Sequence, residues 1–163
     1  MSNLVTIAGM VTLLGAAMIG GVFFAFSSFV MKALAAVPTP HGIAAMQSIN
    51  VVVINRSFLG VFFGTAGLSL LMAGLAFSGA ASSAAPLFLS GALFYLAGTF
   101  LVTVLANVPL NNQLAAVSAS HAASGSTWEH YLVRWTKWNH VRTVSASLST
   151  LAYAAGLLEY SAA

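Results

Sequence analysis

The chain has 163 residues, of which 60% are hydrophobic, 11% aromatic and only 4% charged. At a mean hydropathy of +0.95, a water-soluble globule would lack the polar surface to cover itself, so the composition implies an integral membrane protein. Five cations against two acids give a net charge of +3, too sparse for a nucleic-acid footprint, and the absence of cysteine excludes disulfides, thiolate metal sites and dithiol redox chemistry.

Residues 4–31 carry no charge and outrun a secretory hydrophobic region, which predicts a retained first helix. A hydrocarbon core takes roughly 20 helical residues. A helix from 4 to about 34 therefore overshoots the membrane on one side, and the overshoot bears Phe23, Phe24, Phe26 and Phe29. Val37-Pro-Thr-Pro-His41 breaks the chain, with Thr39 placed as an N-cap and Pro40 at the first helical position. The second helix starts near Pro40 and can run on to Phe77, but only 57–77 is free of charge, amides and histidine. Residues 40–56 thus form another extension, carrying His41, Gln47, Asn50, Asn55 and Arg56. Within the span, Gly60 and Gly64 make a small-xxx-small pattern that allows close helix approach.

Small residues at 78–85 form a turn, and Pro86 opens the third helix, spanning 86–106. Asn107, Asn111 and Gln113 continue it as an extension despite Pro109. Residues 115–126 are the long connection, and Ser126 or Thr127 caps a fourth helix whose membrane section covers 141–160. The expected architecture is a single all-α domain over 1–163, a four-helix transmembrane bundle with spans at about 4–26, 57–77, 86–106 and 141–160. Extensions 27–56 and 107–140 fall on one side and form a polar and aromatic cup. Lys32, Arg56, Arg134, Lys137 and Arg142 lie on that side. The positive-inside rule then predicts a cytoplasmic cup in a plasma or inner membrane, with both termini outside.

Chemistry concentrates between Asn107 and Arg142, which holds all three Trp, three of four His and one of two acids. On a helix from Thr127, the residues Trp128, Tyr131, Trp135, Trp138 or Asn139, and Arg142 recur at three- and four-residue steps as one stripe. One reading is an interfacial aromatic belt. The other is an aromatic wall with an arginine at its base, able to stack a polycyclic ligand and hold its oxygen. His140, beside Asn139 and near the membrane entry, is a neutral imidazole suited to act as base or ligand, or simply to bond a neighbouring helix. No two histidines stand at helical ligand spacing, so a metal site would need His41, His130 and His140 brought together. Such a thiolate-free set suits copper or iron better than structural zinc. Asn107, Asn111, Asn50 and Asn55 either satisfy backbone freed by Pro109 or hold a substrate carbonyl, phenol or oxyanion. No carboxylate lies inside the spans except Glu159 at the last turn, which disfavours a proton-coupled antiporter.

Asn107-Val-Pro-Leu-Asn111-Asn-x-Leu114, followed by Trp128-x-x-Tyr131-x-x-x-Trp135-x-x-x-Asn139-x-x-Arg142-Thr143, resembles the small four-helix membrane family of anthrone oxygenase-like proteins, many of unknown function. The resemblance extends over the whole chain, including Asn55-Arg56. It implies oxidation of an anthrone to an anthraquinone by molecular oxygen. In that chemistry His140 would be the base, with Arg142, Arg56, Asn139 and the other amides stabilising charge. Trp135, Trp138, Trp128 and Phe26 would wall in a lipophilic aromatic substrate. No cofactor is required by that route, while copper or iron stays open, as does a homo-oligomer. The competing expectation is a non-enzymatic binding or assembly protein of the bilayer, with a small transporter as the third.

Overall fold

A computed structural model describes residues 3–121 and 123–162, Ser82 by its backbone alone. It is helical throughout, with no strand among the described residues. Five helices follow in order: α1 (Asn3–Ala36), α2 (Thr39–Val52), α3 (Arg56–Phe77), α4 (Ala85–Ala115) and α5 (Ser124–Ala162). Three of them, α1, α3 and α4, are long and apolar enough to cross a membrane, so the chain is a membrane protein. Helix α1 packs along α5 and α3, and α4 packs between α3 and α5. The shorter α2 lies across the ends of α1, α4 and α5.

Local chemistry explains the boundaries. Thr39 is not the N-cap: Pro38 takes that position, and its carbonyl accepts from the amides of His41 and Gly42 at 2.8 and 3.1 Å. Proline's fixed backbone angle orients that carbonyl without a side-chain cap. A second difference is the break at residues 53–55, where a single helix from Pro40 to Phe77 was a reading open to the sequence. Asn55 adopts an extended conformation and its Oδ1 accepts from the Phe58 amide at 3.0 Å, so it caps and starts α3 afresh. At the far end Gly79, at φ +80°, closes α3 in a Schellman motif. Its amide donates to Ala76 O and that of Ala80 to Leu75 O.

Three apolar clusters stack along the long axis. One, between Val5, Met72, Phe88 and Tyr153, lies toward the chain termini and the Gly79 turn. A middle one joins Ile19, Phe23, Phe62 and Tyr95. At the opposite end Met31, Ile43, Met46, Leu114, Trp128, Tyr131 and Trp135 bind α2 to the ends of α1, α4 and α5. Gln47 secures that end, donating to Leu114 O at 2.8 Å and Val117 O at 2.9 Å.

Two helices change pitch where this end begins. Phe26–Val30 in α1, and Phe94–Leu101 and Thr103–Asn107 in α4, are π-helical. In α4 the cause is legible. Proline at 109 has no amide and its ring crowds the carbonyl four residues back. The wider turn before it relieves that crowding, the Val108 amide reaching Thr103 O five residues back. The helix therefore continues through Pro109 to Ala115, as the sequence predicts.

Candidate functional site

Between the middle and the α2-bearing clusters sits Arg142, 4% exposed, on the inner face of α5. Burying a guanidinium is costly unless its donors and charge are met. Its Nη2 donates to Asn139 Oδ1 at 2.8 Å and its Nη1 to Thr103 Oγ1 at 3.3 Å. The face of the guanidinium lies 4.0 Å from the centre of the Phe23 ring and 5.0 Å from that of Trp135, so two aromatic faces supply negative potential. No ion pair joins it to a carboxylate among the described residues, and its Nε carries a buried hydrogen without an acceptor.

Asn139 organises the α1 side. Its Nδ2 donates to Phe23 O at 2.8 Å and Ser27 Oγ at 2.7 Å, and Ser27 in turn meets Thr143 Oγ1 at 2.9 Å. These contacts fall at the π turn of α1, where backbone carbonyls lose their usual partner four residues on. On the α4 side Asn107, 1% exposed, donates to Trp135 O at 3.2 Å, while its Oδ1 is buried without a donor. Asn111 Oδ1 accepts twice at 2.8 Å, from the Tyr131 hydroxyl and the Trp135 indole. Asn50 of α2 reaches the same hydroxyl at 3.4 Å. The asparagines therefore bond α5 rather than the backbone around Pro109.

The aromatic stripe points inward. Trp128, Tyr131 and Trp135 are stacked with centroids 5.7 and 6.0 Å apart, and all three are buried, so Trp128 and Trp135 pack into the protein core and do not face outward. Phe26 tilts against Trp135 at 5.5 Å. Trp138 is half-buried at the edge of this group. Burial raises the Tyr131 phenol above its ordinary range, partly offset by its bond to Asn50, so it remains a neutral donor.

Several sequence candidates fall elsewhere. His140 is exposed on the outer face of α5, pointing away from Asn139 and Arg142. Arg56 is exposed at the start of α3, and Asn55, also exposed, spends its side chain on capping, its Nδ2 donating to Val52 O. His41 and His130 are exposed too, and among the described residues no group of three His, Cys, Asp or Glu could hold a metal ion. The set the structure assembles is Asn107, Asn111, Trp135, Asn139 and Arg142, joined by Phe23, Ser27, Thr103 and Tyr131. Tyr131 stood in the stripe. For Ser27 and Thr103 the only sequence signal is a hydroxyl in an apolar run, and for Phe23 there is none beyond its aromatic neighbours.

Comparison with the curated proteins and with the solved structures finds no match in either. A family model described as anthrone oxygenase matches residues 55–152, more than half of the chain. The matched stretch begins at the α3 cap and contains Asn107, Asn111, Trp135, Asn139 and Arg142, whereas Phe23 and Ser27 are supplied by α1 outside it. On that match, the chain belongs to the anthrone oxygenase family.

Proposed function

We propose that this protein is a membrane-bound oxygenase acting on a lipophilic, anthrone-like aromatic with molecular oxygen. In this reading α1, α3, α4 and α5 form a four-helix transmembrane bundle, and their ends beyond the bilayer, with α2, form a polar and aromatic cup. Support for a fourth span comes from α5. Val141, Val144, Leu148, Leu151 and Leu158 make an exposed apolar stripe opposite its buried face, and 39 residues at about 1.5 Å each far exceed one hydrocarbon thickness.

The observation that carries the proposal is the pair of unsatisfied buried atoms, Arg142 Nε and Asn107 Oδ1, beside Phe23 and Trp135. Buried polar atoms normally have partners. A cation with a spare donor, next to aromatic faces, suits the oxygen of a flat aromatic enolate. Loss of a methylene proton converts an anthrone to its anion, whose electron-rich carbon reacts with oxygen. Overall the methylene loses both hydrogens, one oxygen atom becomes the new carbonyl and the other leaves as water. Arg142 and the asparagines stabilise the anion. His140, on the opposite face, is not the base of this scheme, and the proton passes to water.

The close packing around Arg142 favours a second reading, a purely structural cluster in a non-enzymatic membrane protein. Oxygen uptake with an anthrone separates the two. Arg142→Lys, which keeps a cation, and Arg142→Ala are each expected to lower turnover by about 10²-fold or more, while His140→Ala stays near the parent rate. Full activity in a folded Arg142→Ala protein would remove the oxygenase mechanism. Loss of the helical signal in both Arg142 variants would assign the cluster to folding alone.

A further inference from the structure

Along the outside of the α4–α5 seam runs a groove in two connected lobes. The first, about 270 Å³, is lined by Ala97, Leu101, Val102, Leu105, Ala106 and Trp138 and is almost wholly apolar. The second, about 320 Å³, shares Leu105, Ala106 and Trp138 and adds Gln113, His130 and Arg134. From Ala97 to Gln113 the groove follows about 24 Å of helix.

Its two ends differ in kind. Leu101 and Leu105 are exposed on the apolar face of α4, so the first lobe opens sideways toward acyl chains. No Asp or Glu lines the second lobe. Neither Arg134 nor His130, both exposed, has a hydrogen-bond or ion-pair partner among the described residues. The cationic end lies on the cup side of Trp138, a residue type that favours headgroup depth. A fused aromatic is too short to touch both ends of the groove; a phosphate carrying an acyl chain is not.

We infer that this groove is a binding site for an anionic phospholipid, distinct from the Arg142 cluster. Arg134 and His130 hold the phosphate, Gln113 bonds the headgroup, and one acyl chain lies over Leu105 and Leu101 toward Ala97. One arginine near a headgroup favours an anionic over a zwitterionic lipid by about fivefold.

Native mass spectrometry of the detergent-purified chain tests this with phosphatidylglycerol and phosphatidylcholine of identical acyl chains, and with glycerol phosphate as the headgroup alone. Phosphatidylglycerol is expected to bind about five- to tenfold tighter than phosphatidylcholine. Arg134→Gln with His130→Gln should erase that preference, and Arg134→Lys should keep most of it. Leu105→Trp, which fills the shared lobe, should weaken both lipids. Lys137→Gln, an exposed cation on α5 that does not line the groove, should change nothing. Equal binding of the two lipids, or an equal loss on Lys137→Gln, would overturn the assignment. Glycerol phosphate binding as tightly as the lipid would make it a free-phosphate site.

Discussion

Arg142 is held by geometry rather than by an opposing charge, and Asn139 is the side chain that makes this work. It accepts from the guanidinium and donates to α1 at once. Asn139→Ala removes a donor to the Phe23 carbonyl and the acceptor of the Arg142 Nη2. Thermal unfolding in detergent should show a loss of about 2 kcal/mol, against near-neutral behaviour for His140→Ala on the exposed face. Tyr131 gives a pH signature. Its folded phenol titrates above the unfolded one, so above about pH 10 the unfolded state releases a proton that the native state keeps. The stability this contributes is complete below pH 10 and is lost as pH rises. Tyr131→Phe should cost about 1 kcal/mol at neutral pH and flatten the alkaline decline. An unchanged alkaline slope would mean that the phenol is solvated. At this scale the sequence was legible where helical spacing decides: Asn139 and Arg142, three apart, share a face, as do Tyr131 and Trp135, four apart. It misled at His140, adjacent in the chain but a hundred degrees round the helix from Asn139.

The helices are shaped where they meet this cluster. The π turns in α1 and α4 place Phe23, Ser27, Thr103 and Asn107 against α5. Pro109 announces such a disturbance in α4, while the bulge at Phe26–Val30 has no equivalent marker in its sequence. Glycine patterns were a poorer guide. Gly60 and Gly64, the pattern expected to bring helices together, have nothing within 4 Å of an added Cβ. Close approaches are made instead at Gly15 against Thr65, at Gly98 against Ser145, at Gly156 against Phe88 and at Gly42, where a Cβ would meet Leu34 O at 2.6 Å and the Trp128 ring at 3.0 Å. Gly42→Ala should therefore destabilise by about 1–3 kcal/mol, since a backbone carbonyl cannot swing aside. Gly60→Ala should be neutral or stabilising by up to about 1 kcal/mol. Reversal of that order in a denaturant titration would show that α2 docks differently.

For the whole molecule, the number of crossings decides where the ends lie. If α5 crosses as proposed, Ser161 shares a side with the Gly79 turn, and Ser120 lies opposite. The chain has no native cysteine, so single cysteines at these positions can be labelled in intact cells by an impermeant maleimide. Position 78, the exposed serine of that turn, and position 161 should label together and position 120 should be protected. Labelling of 161 with 120 would reduce the spans to three. The exposed cations Lys32, Arg56, Arg134 and Lys137 lie at the α2-bearing end, so the orientation expected from them does not depend on Arg142. Membrane residence, helical class and family membership were determined by the sequence alone, because they follow from composition, from apolar runs of bilayer length and from a spaced motif. The break at residues 53–55, the inward turn of Trp128 and Trp135, the exposure of His140 and the bond from Asn107 to the Trp135 carbonyl were decided only by the tertiary structure. Each depends on rotation about a helix axis and on partners distant in the chain, and neither is encoded in local spacing.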